Sequence, residues 1–234
     1  MKRALLTILV VLLADQALKV WVKLTFFYDS AIPLSGDWAY LHFIENRGMA
    51  FGMEFGGSAG KLALTLLRIV AVVGIGYALV RMVRGGARKL AVVSVALVFA
   101  GALGNIIDST FYGMLFSAST HFEKAVFLPA GGGYASLFHG AVVDMFYFPL
   151  WEGRLPEWLP IWGGEHFVFF RPVFNIADSA ITVGIGLFIL SQRRDRKHAV
   201  EPASASEPAS DPVYEPLSAT TIDVEPSASG PTNP

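Results

Sequence analysis

Four aspartates sit on or beside apolar stretches of this sequence, and three of them keep a second polar residue at helical spacing. Asn175 and Asp178 open the run FNIADSAITVGIGLFIL, Asn105 and Asp108 close LAVVSVALVFAGALGNII, and Asp15 precedes Lys19 within ALLTILVVLLADQALKV. Steps of three or four residues place each pair on one helix face. The fourth aspartate, Asp144, lies in HGAVVDMF. Two carboxylates held close in a low-dielectric site cannot both ionise easily, so they share a proton. One then serves as general base on a water while the other protonates a carbonyl oxygen or leaving nitrogen, which is peptide hydrolysis without a covalent intermediate. Spacing alone leaves open whether Asp178 pairs with Asp144 or with Asp108. A nucleophilic route would need Ser179 or another hydroxyl with a base such as Lys19, but no elbow or triad pattern surrounds them. Metal hydrolysis fares worse. His42, His121, His139, His166 and His198 are scattered, there is no HExxH, and no cysteine is available as a ligand. No metal and no cofactor is expected.

The elements that must position these residues are membrane helices. The 234 residues are 53% hydrophobic and 16% charged, with a mean hydropathy of +0.51, too apolar for an ordinary soluble domain. Lys2 and Arg3 precede an apolar run that could be a signal peptide, but no small-x-small cleavage site follows and the helix continues to about Phe27, so it reads as a retained first span with a cleaved signal as the lesser reading. At the helical rise, Asp15 lies roughly 16 Å in from Ala4, past the middle of the hydrocarbon layer. Residues 62–82 and 90–107 read as the second and third spans, with Arg68 in the second expected to snorkel outward. The fourth begins at Phe174. Basic clusters at 2–3, 81–89 and 193–197 flank the spans, and all three place those ends in the cytoplasm. They are too short, and too close to apolar runs, to suggest nucleic acid.

Between the spans, residues 28–60 and 110–172 are expected outside. Trp38–Ile44 reads as a strand and Glu45–Gly48 as a turn, either a small surface sheet or an extended edge for a peptide. Gly131–Gly133 reads as a flexible joint, Trp151, Trp158 and Trp162 as interfacial anchors, and Asp144 as part of a less regular segment. The expected class is an α-helical integral membrane protein with four transmembrane helices, a small extracytoplasmic β-rich element and long external loops. Residues 1–198 form its single domain. The tail 199–234, rich in Pro, Ser, Ala and Glu, should be disordered in the cytoplasm. On this topology Asp15, Asn105, Asp108, Asp144, Asn175 and Asp178 all gather toward the outer face. A proton-coupled transporter would instead string carboxylates across the membrane depth, and a structural subunit would not need six converging polar groups.

The ordered segments Asp15-Gln16-x-x-Lys19, Asn46-x-Gly48-x-Ala50-Phe51-Gly52, Gly104-Asn105-x-x-Asp108, Val142-Val143-Asp144-x-Phe146 and Phe174-Asn175-x-Ala177-Asp178-Ser179 resemble the bacterial lipoprotein signal peptidases, or signal peptidase II. The match covers about residues 4–192. The resemblance implies an aspartic endopeptidase of the inner membrane, with its site toward the periplasm. Such an enzyme removes the signal peptide of prolipoproteins, cutting just before a diacylglyceryl-modified cysteine. It implies Asp144 and Asp178 as the catalytic pair, with Asn105, Asp108, Asn175, Asp15 and Lys19 in support and Asn46 near substrate. The partners are then lipid-modified prolipoproteins and membrane lipids, for a protein expected to be monomeric. Two departures stand out. The arginine usual after the G-N-x-x-D aspartate is Ser109, and the connections on either side of Asp144 are longer than the family's common form.

Reporter fusions after Gly57, Gly86, Ala130 and Ala199 should read out, in, out and in. An external reading at Gly86 contradicts this topology.

Overall fold

The computed structural model describes residues 1–48, 57–149, 151–169 and 172–200, with backbone alone at 151–152, 166–169 and 193–200. The tail beyond residue 200 and most of the MAFGMEFGG segment lie outside the described residues. Four long helices carry the structure: α1 (Lys2–Thr25), α2 (Gly57–Arg84), α3 (Lys89–Ile107) and α4 (Ile176–Val200). Helices α1, α2 and the continuous helical stretch Lys89–Leu115 are long and apolar enough to cross a membrane, whereas the apolar part of α4, Ile176–Gln192, is shorter. Their outer faces expose large apolar side chains such as Leu9, Leu13, Leu67, Val70 and Ile189, as lipid-facing helices do.

Helix α2 begins five residues earlier than hydropathy alone suggests and ends in a Schellman turn. Gly86 takes φ +69°, the Ala87 N–H donates to the Met82 carbonyl at 2.9 Å, and α3 starts three residues later. That tight connection makes α2 and α3 an antiparallel hairpin. Helix α3 packs along both α1 and α4, and small residues let it do so. A Cβ on Gly101 would stand 2.2 Å from the Ala177 carbonyl oxygen, and one on Gly104 2.7 Å from Asp15 Oδ2.

Strands β1 (Ala31–Ser35), β2 (Ala39–Asn46), β3 (Val142–Tyr147) and β6 (Val173–Phe174) form an antiparallel sheet in the order β1-β2-β3-β6, while β4 (Trp151–Arg154) pairs with β5 (His166–Phe169). The strand expected at Trp38–Ile44 is therefore present, but it is internal. The sheet's edges are β1 and the two-residue β6, and β1 covers β2 along Ala39–His42. Its odd residues Ala39, Leu41 and Phe43 are buried, and Leu41 and Phe43 join Val143 and Met145 of β3 against Val22, Phe26, Tyr112 and Phe116. Because side chains alternate along a strand, sending Val143 and Met145 into this core turns Asp144 to the opposite side. Asp144 thus sits on regular β-structure, not on the irregular segment expected for it.

The long connection after α3 is stitched back onto the helix end. Residues 108–112 form a π-turn, the kind of local expansion that collects at functional sites, and Gly113–Leu115 add one more helical turn. The carbonyls left open at such an end need donors. They find them in the returning chain, from Gly140 N–H to Ser109, Phe138 to Thr110 and Ala135 to Gly113, at 2.9–3.1 Å. Gly131–Gly133 is consequently not a loose joint at its last residue, because a Cβ on Gly133 would lie 2.1 Å from the Gly113 carbonyl oxygen.

Gly133→Ala should cost about 1–3 kcal/mol, the usual penalty for forcing a group into a packed contact. Gly131, with nothing within 4 Å, should accept alanine without loss. Thermal unfolding of the two variants in one detergent distinguishes them, and equal melting temperatures contradict the docked loop.

Candidate active site

Helix α4 starts where a short strand ends, and its first turn is held from two directions. Asn175 caps it, its Oδ1 accepting from the Asp178 N–H at 3.0 Å, while the Asn175 N–H donates back to Asp178 Oδ2 at 3.3 Å. This is a reciprocal capping box. Asp15 of α1 accepts from the intervening Ala177 N–H at 2.9 Å. Asn175 therefore precedes the helix instead of lying on its face with Asp178. The sequence spacing was right, but the cap explains it better than a shared stripe. As a result Asp178, partly buried, has its carboxylate orientation fixed.

The same Asn175 side chain faces the second carboxylate. Its Nδ2 donates to Asp144 Oδ1 at 2.6 Å, with the Asn105 Oδ1 and the Val143 carbonyl farther off at 3.2 and 3.3 Å. Asn105 mirrors it, donating from Nδ2 to Asp178 Oδ1 at 2.8 Å. Asp144 is 3% exposed, and Asn46 of β2 adds a hydrogen bond to it. Burial first, then the nearby charge of Asp178, pushes the Asp144 carboxyl up to about 7. Asp144 therefore holds a proton to higher pH than an ordinary carboxyl does.

Beneath them lies a closed ionic cluster. Lys19, fully buried, meets Asp108 Oδ2 at 2.7 Å, Asn105 Oδ1 at 2.8 Å and Asp15 Oδ2 at 2.9 Å, which uses all three of its hydrogens. Gln16 donates to Asp108 Oδ1 at 2.9 Å and accepts from Tyr112 at 3.2 Å. Asp108 also receives the Val143 N–H at 3.4 Å. Asp108 is thus engaged with Lys19, Gln16 and the strand carrying Asp144, and no hydrogen bond joins it to Asp178.

Sequence reasoning missed three participants. Gln16 and Tyr112 complete the cluster; Gln16 stands in the segment Asp15-Gln16-x-x-Lys19 but was given no role, and nothing but its place at the end of an apolar helix marks Tyr112. Arg68 reaches the turn that follows β2. It is partly buried, its guanidinium lies against Gly48, and the charges of Asp178 and Asp144 both act on it. Ser109, in the position where an arginine was expected, is buried and donates to the Asn105 carbonyl of its own helix at 2.9 Å, offering no charge to the site. Among the described residues no group of histidine and acidic side chains could hold a metal ion.

The profile of the family described as signal peptidase (SPase) II matches residues 7–193. The chain belongs to that family. It is 50% identical over 188 residues to the lipoprotein signal peptidase of Porphyromonas gingivalis, covering 80% of this chain and 81% of that protein. It is 36% identical over 202 residues to the lipoprotein signal peptidase of Amoebophilus asiaticus, covering 85% and 81%. A solved bacterial membrane enzyme superposes with a TM-score of 0.55 at 23% identity, over 83% of this chain and 95% of the other, and so shares the fold. The chain is accordingly a membrane protease of the signal peptidase II family.

Lys19→Met should leave Asp15 and Asp108 buried without their cation, costing about 3–5 kcal/mol. Yield and melting temperature in detergent measure this, and a variant as stable as the parent contradicts the ionic cluster.

Proposed function

We propose that this protein removes the signal peptide from diacylglyceryl-modified prolipoproteins, cutting before the lipidated cysteine, with Asp144 and Asp178 as an aspartic pair. The observation that carries this reading is the double asparagine clasp. Asn175 fixes Asp144 and Asn105 fixes Asp178, which leaves two oriented carboxylates acting on each other at the junction of sheet and helices. Asp178, ionised, takes a proton from water as it attacks the scissile carbonyl, and protonated Asp144 donates to the carbonyl oxygen. As the C–N bond breaks, the proton taken up by Asp178 passes to the departing amine and a hydroxyl of the gem-diol returns its proton to Asp144, so the pair regains its starting state. Asp15 holds the α4 terminus, Lys19 and Asp108 anchor α3 and β3, and Asn46 stands on the substrate side.

The same reading makes α4 the fourth span, with both termini cytoplasmic and the site facing the periplasm in the inner membrane. Residues 199–234 contribute nothing to catalysis, and a monomer suffices because every residue named belongs to one chain. Trp158 and Trp162, both exposed, suit the headgroup layer.

Cleavage of a purified lipid-modified prolipoprotein tests the proposal. Asp144→Asn and Asp178→Asn should each lower turnover by roughly 10³-fold or more while still binding a lipopeptide inhibitor, because an amide keeps the shape but cannot exchange the proton. Asp108→Asn should lose only part of the activity. As pH rises through about 7 the proton on Asp144 is lost and kcat/KM should fall, with an apparent value belonging to the pair. Substantial activity in Asp144→Asn together with a dead Asp108→Asn would overturn the assignment.

A further inference from the structure

We propose that Arg68 is the charge-setting residue of the aspartate pair, a positioning cation on α2 that holds one negative charge on Asp144 and Asp178 across the working pH range. The inference rests on the aspartic reading above.

Three observations converge on it. The turn after β2 lies directly on the guanidinium. Gly48 adopts φ +90°, and a Cβ there would stand 3.1 Å from Leu64 and 3.2 Å from Arg68 Nη1. Only glycine combines that conformation with that approach. Second, Gly48 is tied to the pair through Asn46, whose Oδ1 accepts the Gly48 N–H at 2.8 Å and whose side chain also hydrogen-bonds Asp144. Third, Asp178 and Asp144 are the two carboxylates whose charges act on Arg68.

The surrounding charges leave this role open. From α1, Lys19 acts on Asp144, but its three hydrogens are committed to Asp15, Asp108 and Asn105. From α3, β2 and the start of α4 come the neutral amides Asn105, Asn46 and Asn175. Ser109 is neutral and bonded within its own helix. Arg47, beside Asn46, and buried Lys61 of α2 are further cations on this side, and Arg68 is the one whose charge interacts with both Asp178 and Asp144. A fixed positive charge favours ionisation of neighbouring carboxylates, so removing it must raise the pH at which the pair loses each of its protons.

The test is the pH profile of kcat/KM on a lipid-modified prolipoprotein. Arg68→Gln should move both limbs of the bell upward by ~1 pH unit, the size expected for one charge screened as at a partly buried site. Arg68→Lys should leave both limbs in place. The chain has no cysteine, so Arg68→Cys can be labelled at that position alone, after folding, with an aminoethyl or a neutral hydroxyethyl methanethiosulfonate. The cationic adduct should restore the parental limbs, and the neutral one should keep them displaced. Limbs that do not move in Arg68→Gln, or that coincide for the two adducts, overturn the proposal. So does a uniform loss at every pH with raised KM, which would make Arg68 a substrate-binding group. Asp144→Asn is assayed in parallel. If it still cleaves, the aspartic reading itself has failed. If it is dead while the limbs stay fixed, Arg68 alone was misassigned.

Discussion

The structure depends on one buried ammonium. Lys19 has no solvent contact, and its three hydrogens bind two carboxylates and an amide from two helices. An unpaired charge there would cost several kcal/mol, so the helices can approach only in the arrangement that satisfies it. Through Asp15 it reaches the first turn of α4. Through Asp108 it reaches the Val143 N–H beside Asp144, and through Asn105 it reaches Asp178. Each contact places a residue one step from the proposed chemistry.

Around that point the fold follows two steric rules. Glycines at 101 and 104 let α1 and α4 close on α3, so that the polar groups meet within hydrogen-bonding distance. The bulge in β2, where Leu41 pairs with Phe146 but Ile44 with Asp144, inserts an extra residue opposite the strand that carries Asp144. Such bulges re-aim the strands they interrupt. The sheet thus works as a rigid mount that carries Asp144 to the helix termini, while its other face is packed as core.

Much of this was legible from residue types. Apolar runs bounded by basic clusters disclosed the helices, and aspartates in apolar surroundings pointed to the polar groups that the fold brings together, because burying a charge is costly. What remained hidden depended on three-dimensional return paths. Nothing local to VVD reports that it forms the third strand of a sheet begun a hundred residues earlier, and so Asp144 was expected on irregular chain. Asn175 looked like a partner of Asp178 on one helical stripe, since a cap and a first-turn residue share that same spacing. That Arg68 lies beside the two aspartates was hidden because hydropathy does not record which way a helix face turns. The glycines at 131–133 looked loose, although the last of them is required by a close backbone approach.

The central claim is that Asp144 carries the proton of an otherwise ionised pair. Infrared difference spectroscopy of protein labelled with ¹³C at the aspartate side-chain carboxyls reads this directly. On titration downward from alkaline pH, a protonated-carboxyl stretch should appear as pH falls through about 7, and it should be missing from Asp144→Asn. A band that persists unchanged in Asp144→Asn and vanishes in Asp108→Asn would place the proton on Asp108 and contradict the account.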